Sequence, residues 1–599
     1  MKRLPLLSFA GLVAATVAAF FITQHLKVTT PLIAGAPRPS PAVINPLDGK
    51  VCGGLNHRLM KISFYLLHRS DVVDVFVVDS SGNIVATLAT QRHMRKGVRI
   101  PDGQFTWNGF EDNGRIAPDG TYFIRVALIN QGRTVTIADT SGPEPVRVKT
   151  APPAPRVMSV TPRLVPQHGQ RQVTIRYAGN ENRGGTIRIF RTDLRGPPRL
   201  VKSFLTPWKG QTVRWDGLIN RTPAPAGVYL VGLDVTDAAC NTGHFPTVLP
   251  PPVGTTPGAG LTVRELAAQP PLYPVRAGGS AAVYVDSRQH PYRWTLTAAG
   301  ARKPAASGRG SSFLLRVPLP RGRAGLYALS LSSGQTRTTV PVVASAPRKM
   351  QALVVLPVLS WQGLDPVDDD GDGIPDTLLN SSRLGLVRPL VDGPPVGYAD
   401  EAALLAYLDS AHYPYDLTTD VGLIDGRGPA LSSHSAVILA GSEEWAPRSL
   451  AAALRAYVQA GGHVVSLGLG SLQRNVTVSG GVLTDPTPPA PTDALGARPG
   501  RITGTGGQLI AVIGDQLGIF STTSGVLAAF HTYQPITGVA APGQILAQAG
   551  TSAGASAVVA YGLGRGTVLD IGLPGFGSAL AHDVDAKELW NRLWTVLVG

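Results

Sequence analysis

Cysteine is close to absent: the 599 residues hold two, Cys52 and Cys240. No metal-type Cys spacing can be built from them, which excludes zinc-finger and iron–sulfur frameworks. Charge is sparse as well, at 16% against 43% apolar residues. That balance excludes a disordered chain. No nucleic-acid-binding motif is present, so the net charge of +15 does not imply a nucleic acid partner. Long apolar runs are missing too, except at the N-terminus.

Lys2 and Arg3 head that one run, and the 19 residues from Leu4 to Ile22 carry no charge. A positive head followed by an apolar stretch is an export signature. A bilayer-spanning helix needs roughly 20 residues, whereas the apolar part of a cleaved signal has about 7–15. Small residues at Ala34-Gly35-Ala36 offer a cleavage site well past the run. Residues 1–25 are therefore expected to be a signal peptide or a membrane anchor. As an anchor they form a single transmembrane helix with the bulk of the chain extracytoplasmic, since the positive flank stays inside. The alternative is a secreted protein. Outside the cytoplasm Cys52 and Cys240 are able to form a disulfide; the other reading is two unpaired thiols.

Glycine (69) and proline (51) are abundant and punctuate the chain. A Pro-rich spacer covers 26–46, and further Pro clusters fall at Pro152-Pro153-Ala154-Pro155, Pro250-Pro251-Pro252 and Ala346-Pro347. The expected units are 47–150, 155–250, 257–345 and 346–599. Charge divides at the last boundary. Residues 346–599 hold 13 basic and 22 acidic residues, a net of −9, which leaves 41 and 17, a net of +24, in the first 345. A basic half next to an anchor fits attraction to the membrane, to anionic lipids or to anionic envelope polymers; plain solubility is the simpler reading.

The first three units repeat one another. Phe105-Thr106-Trp107-Asn108-Gly109 precedes Pro118-Asp119-Gly120-Thr121-Tyr122, and Val213-Arg214-Trp215-Asp216-Gly217 precedes Pro225-Ala226-Gly227-Val228-Tyr229. The third unit keeps only Ala324-Gly325-Leu326-Tyr327. Short alternating strands such as Val75-Phe76-Val77-Val78 and frequent turns predict Ig-like β-sandwiches. The Trp is expected to plug one end of the core, and the Gly before the Tyr to relax the backbone. The pattern resembles the FlgD-type Ig-like module of exported bacterial proteins, clearly in the first two units and faintly in the third. Such modules are spacers or adhesion units, so the resemblance implies no catalytic residue.

The last unit alternates strands and helices. Strands are expected at 351–356, 436–440 and 463–469, helices at 401–408, after Pro447 and at 586–597, and a hairpin at 556–571. This predicts an α/β domain with a mostly parallel sheet. Ser435-Ala436-Val437-Ile438-Leu439-Ala440-Gly441-Ser442-Glu443-Glu444-Trp445, Ala456-Tyr457-Val458-Gln459-Ala460-Gly461-Gly462-His463 and Leu359-Ser360-Trp361-Gln362 resemble the C-terminal domain of the N,N-dimethylformamidase large (β) subunit. The resemblance implies a class I glutamine amidotransferase-like fold and, in the enzymes, amide hydrolysis at an iron held by Tyr and Glu. Trp445 follows the acidic pair Glu443-Glu444 where a Tyr is expected, and Leu364 stands near another missing Tyr. The candidates left for catalysis are Glu443, Glu444, Tyr413 and Tyr415, and iron is not expected as a cofactor. No Cys lies in this unit, which excludes a Cys nucleophile; Ser471 is the residue at the corresponding turn. Gly550-Thr551-Ser552-Ala553-Gly554 fits Gly-x-Ser-x-Gly but precedes a strand, so it reads as a turn.

Asp368-Asp369-Asp370-Gly371-Asp372-Gly373-Ile374-Pro375-Asp376 is the sharpest motif. Asp368, Asp370, Asp372 and Asp376 occupy positions 1, 3, 5 and 9 of a calcium loop, with Gly373 at position 6. Position 12 is Leu379 rather than Glu, as in the Asp-rich calcium repeats of extracellular proteins. A structural Ca²⁺ is expected, with a solvated acidic turn as the alternative. Together these features predict an exported bacterial surface protein whose sandwich stalk displays an α/β domain for binding or envelope scaffolding. The alternative is an extracytoplasmic amide hydrolase.

Overall fold

The computed structural model describes residues 4–29, 31–35, 37–139, 142–181, 184–391, 393–539, 543–550 and 555–598. The N-terminal apolar run forms one helix, Leu4–Thr29. Phe9, Leu12, Phe20, Phe21 and Ile22 on it are exposed. Among the described residues no helix is long and apolar enough to cross a membrane; within this helix, side chains are described for residues 8–22.

Three β-sandwiches follow, and they share one plan. In each, a two-residue strand opens the larger sheet by pairing in parallel with the unit's last strand. The pairs are Val43–Ile44 with Arg147–Val148, Leu164–Val165 with Thr262–Val263, and Val275–Arg276 with Ala344–Ser345. The remaining strands pair antiparallel, and a smaller sheet closes the other side. Burial alternates along the strands, as in Asp71–Asp79, so one face of each sheet enters the core. The third sandwich thus repeats the first two although most of its sequence motif is gone.

Expected boundaries move for a physical reason. Val43–Ile44 and Ile33–Ala34 come from the Pro-rich stretch yet pair with Arg147–Val148 and Tyr65–Leu66, so 26–46 is not a free spacer. The Pro250–Pro252 cluster lies inside the second sandwich, because Gly260–Val263 beyond it still pairs with Gly227–Leu230. Proline cannot donate to a ladder, and here it marks a loop before an internal strand.

The repeated corner is built by hydrogen bonds. Trp107 Nε1 donates to Phe110 O (2.8 Å) and Tyr122 OH to Pro118 O (2.6 Å). Trp215 Nε1 donates to Leu218 O (3.1 Å) and Tyr229 OH to Pro225 O (2.6 Å). Positive φ falls on Gly109 (79°) and Gly217 (72°), the residues after Asn108 and Asp216. Of the glycines before the Tyr positions, Gly227 uses it (153°) as expected, whereas Gly120 and Gly325 do not.

The C-terminal domain carries an eight-stranded mixed sheet. Its elements are β1 (Ala352–Leu356), α1 (Val358–Leu364), α2 (Tyr398–Ser410), β2 (Tyr415–Thr419), α3 (Asp420–Ile424), β3 (Ala436–Leu439), α4 (Arg448–Gln459), β4 (His463–Ser466), β5 (Ile510–Val512), β6 (Gly543–Ala549), β7 (Ser556–Leu563), β8 (Gly566–Ile571), α5 (Phe576–Ala579) and α6 (Val584–Leu597). The order is β2-β1-β3-β4-β8-β7-β6-β5. Neighbours from β2 to β8 are parallel, and β8, β7, β6 and β5 continue antiparallel. The strands β1 and β3 are buried throughout, as expected of a parallel sheet covered on both faces. Residues 551–554 of the Gly-x-Ser-x-Gly match lie outside the described residues; the strands on either side of them, β6 and β7, pair antiparallel.

This domain does not hang from a flexible stalk. Leu272, Leu326, Val343 and Ala346 of the third sandwich belong to the same apolar core as β1 and β3. Asp416 accepts from Ala346 N (2.7 Å), and Thr419 Oγ1 donates to Leu272 O (2.7 Å). The Asp-rich loop reaches the second sandwich, where Ile374 enters the core. The second and third sandwiches and the α/β domain therefore form one packed body.

Candidate functional site

Parallel sheets gather chemistry at the carboxyl ends of their strands. Here three acids meet beyond β1, β2 and β3. Asp420 is the first residue after β2, Glu443 lies in the loop after β3, and Glu401 sits on the first turn of α2. All three are essentially buried. Asp420 accepts from Leu359 N (2.9 Å) and Val421 N (2.7 Å), which pins it to the start of α1. Trp361 Nε1 donates to Glu401 (3.4 Å). The Glu401 carboxyl lies so close to Gly441 that a Cβ there would come within 2.0 Å of it. Both carboxylate oxygens of Glu443 and both amide atoms of Gln362 are buried without a hydrogen-bond partner.

Burial raises the Glu443 carboxyl well above the usual carboxylate range, and the Asp420 charge beside it adds to the effect. Asp420 and Glu401 are raised by burial as well. Charged carboxylates are costly in such a place, and burial favours the protonated form of each.

The residues predicted from the sequence do not all come here. Tyr415 opens β2, at the opposite end of the strand from Asp420, and donates to Asp409 (3.3 Å). Tyr413 donates to Asn591 (2.8 Å) and lies 4.6 Å from the Trp594 ring. Glu444 is half-buried, 3.7 Å from Arg474, whose guanidinium covers Trp445. Of the four candidates only Glu443 joins the acid cluster. A residue that was not among them, Tyr398 on the first turn of α2, lies beside it: its ring is 6.3 Å from that of Trp361, and burial, with the Glu401 charge adding, pushes its hydroxyl up to about 12. The position after Glu443-Glu444 is the buried Trp445, which cannot ligate a metal. Sequence reading missed Glu401 and Asp420. For Asp420 the available signal was an acid directly after the β-branched pair Thr418-Thr419.

Ser471 is also buried and donates to Gly468 O (3.0 Å) while accepting from Glu443 N (3.3 Å), so its hydroxyl serves the backbone. Next to it Ser466, Asp493, Gln534 and Asp570 line a cavity of about 20 Å³, room for one water. Burial pushes Asp570 up to about 8, with the Asp493 charge contributing.

The Asp-rich loop curls as the motif predicts, with φ of 77° at Gly371 and 86° at Gly373. Oxygens of Asp368, Asp370 and Asp376 lie within 4.8 Å of one another, a spacing that fits a hard cation. Asp372 lies outside this trio, its oxygens accepting from Ile374 N (2.7 Å) and Gly254 N, while Asp368 accepts from Gly371 N, Asp372 N and Gly373 N. Burial raises Asp368 to about 7. The outer side of the loop is held by Gly258 N and Gly260 N donating to Gly371 O, and by Thr192 Oγ1 donating to Gly373 O. Arg388, itself buried, holds the inner side through Asp369 and the Asp376 carbonyl.

Cys52 and Cys240 are joined as a disulfide, with Cα atoms 6.3 Å apart. It links the first two sandwiches, alongside Asn45 Nδ2 donating to Asn241 Oδ1 (2.6 Å) and Lys149 3.3 Å from Asp237.

Residues 310–479 match the family described as N,N-dimethylformamidase beta subunit-like, C-terminal. This stretch of the chain is a domain of that kind, and it includes the last strands of the third sandwich together with β1 to β4. No curated protein matches the chain. Among solved structures, a β-galactosidase from Rahnella sp. R3 is similar at 15% identity and TM-score 0.26, covering 42% of this chain and 32% of that one. A β-galactosidase from Bacillus circulans sp. alkalophilus is similar at 16% identity and TM-score 0.24, with the same 42% and 32%. Fibronectin(III)-like modules of Clostridium thermocellum CbhA are similar at 11% identity and TM-score 0.12, covering 32% of this chain and 94% of theirs. The chain spans about a third of the length of the galactosidases, at 32%. None of these likenesses bears on activity.

Proposed function

We propose that this is an extracytoplasmic envelope protein whose α/β domain serves binding or scaffolding rather than catalysis. The observation that carries the reading is the closed acid cluster. Glu443, Asp420 and Glu401 are buried in the protein interior beside Trp361, and Trp445 takes the place of the Tyr expected after the acidic pair. The first two sandwiches are read as FlgD-type Ig-like modules, on the strength of the repeated Trp–Tyr corner. The N-terminal segment holds the protein at the membrane, or is removed on secretion. Anionic envelope polymers or lipids are the partners that the basic first half suits. Ca²⁺ at Asp368, Asp370 and Asp376 is the structural ion of this reading, and it would fix the loop that joins the α/β domain to the second sandwich.

An extracytoplasmic amide hydrolase remains the second reading. It is favoured by the raised carboxyls at a strand-end site, where functional groups concentrate. Protease treatment of intact cells bearing a C-terminal epitope tests the location. The tag is digested from outside if the proposal holds; protection that ends only on lysis contradicts it.

A further inference from the structure

From Ser287 to Leu364 the chain has no Asp or Glu and 11 Lys or Arg. Three of these arginines fall on one row of the third sandwich. Register pairs Arg309 with Arg293, Arg293 with Ser332, and Ser332 with Arg337. Directly opposed residues on antiparallel strands share a face. The row therefore crosses four adjacent strands, about 14 Å at about 4.8 Å per strand. Two residues along, a second row is paired in the same way: Ser307, Thr295, Ser330 and Thr339. Every member of that row carries a hydroxyl.

Arg293, Arg309 and Arg337 are exposed, and none of their side chains has an ion pair or hydrogen bond among the described residues. Arg293 and Arg309 face each other directly, a like-charge pair that works against the sheet. The opposite face is ordinary core, with Tyr292, Trp294 and Leu296 buried. A local arrangement that opposes the fold is expected where recognition needs it.

We infer that this face binds a linear anionic polysaccharide bearing carboxylate groups. Guanidinium forks match carboxylates two bonds at a time, and the hydroxyl row exchanges hydrogen bonds with sugar hydroxyls. The two rows offer no exposed aromatic or long apolar side chain to enter a lipid interface, which disfavours a membrane as the occupant. The inference deepens the envelope reading above, and its test is made with purified protein, so a failure of export leaves the binding result untouched.

The full chain, held in phosphatidylcholine nanodiscs, is titrated with polygalacturonate, with uncharged dextran, and separately with phosphatidylglycerol vesicles. Polygalacturonate binding is expected to weaken at least tenfold in the variant R293Q/R309Q/R337Q. It should change less than twofold in R199Q/R214Q, which removes two exposed arginines of the second sandwich. The triple variant should melt no lower than the parent, since it relieves repulsion. Absent binding, equal loss in both variants, or an affinity that the triple variant retains would overturn the inference. Tighter, arginine-dependent binding to the phosphatidylglycerol vesicles would overturn it in favour of lipid.

Discussion

A carboxyl held neutral inside a protein makes stability depend on pH, and Asp420 with Glu443 supplies that dependence here. Burial pushes Asp420 up to about 7 from an ordinary value near 4. A folded-state value raised above the unfolded one gives stability that is complete below the unfolded value and lost as pH rises through the folded one. Between those limits each pH unit costs about 1.4 kcal/mol per such group. The α/β domain is therefore expected to melt higher at pH 5 than at pH 8, with D420N flattening part of that slope. Melting curves across this range check it; a slope of the opposite sign would mean that these acids are charged and paired in the folded state. Glu443 was visible in the sequence as half of an acidic pair, but its neighbours were not. Glu401 is 42 positions away and reaches it only because α2 crosses the strand ends.

At the scale of the element, the Asp-rich loop has two sides with different duties. Asp368, Asp370 and Asp376 face one another, while Asp372, Gly371 and Gly373 hold the second sandwich. Gly260 shows how close the fit is, because a Cβ there would come within 2.4 Å of Gly373 N. With an affinity near 10⁻³ M, typical of extracellular modules, about 10 mM Ca²⁺ stabilises by about 1.4 kcal/mol. The melting temperature should rise by roughly 2–5 °C in Ca²⁺, and D370N should abolish most of the rise while leaving the apo protein folded. An equal rise in D370N would place the ion elsewhere. The spacing of the motif was legible in sequence because a calcium loop is local. The bond from Gly254 N to Asp372 was not, since Gly254 belongs to another domain. The sandwiches were legible for the same local reason: strands alternate and the corner repeats. Their edges were not, because the strand after Pro250–Pro252 is claimed by pairing rather than by composition.

At the scale of the whole molecule, two kinds of joint alternate. The second and third sandwiches and the α/β domain share buried cores, through Ile374, Leu326 and Val343. The first sandwich is tied to the second by the Cys52–Cys240 disulfide and a small polar contact. In the variant C52S/C240S the first module should keep its fold while its angle to the rest widens, seen as a larger radius of gyration in solution scattering. An unchanged profile would show that the polar contact alone sets the angle.

We propose that the α/β domain has kept a formamidase-like fold without its iron chemistry. The direct measurement is metal content and amide hydrolysis on one preparation of the full chain, produced with iron and calcium both available. About one calcium per chain is expected at equilibrium with about 10 mM Ca²⁺, iron far below one, and no hydrolysis of N,N-dimethylformamide above that of E443Q. Iron near one per chain, with hydrolysis lost in E443Q, would contradict it.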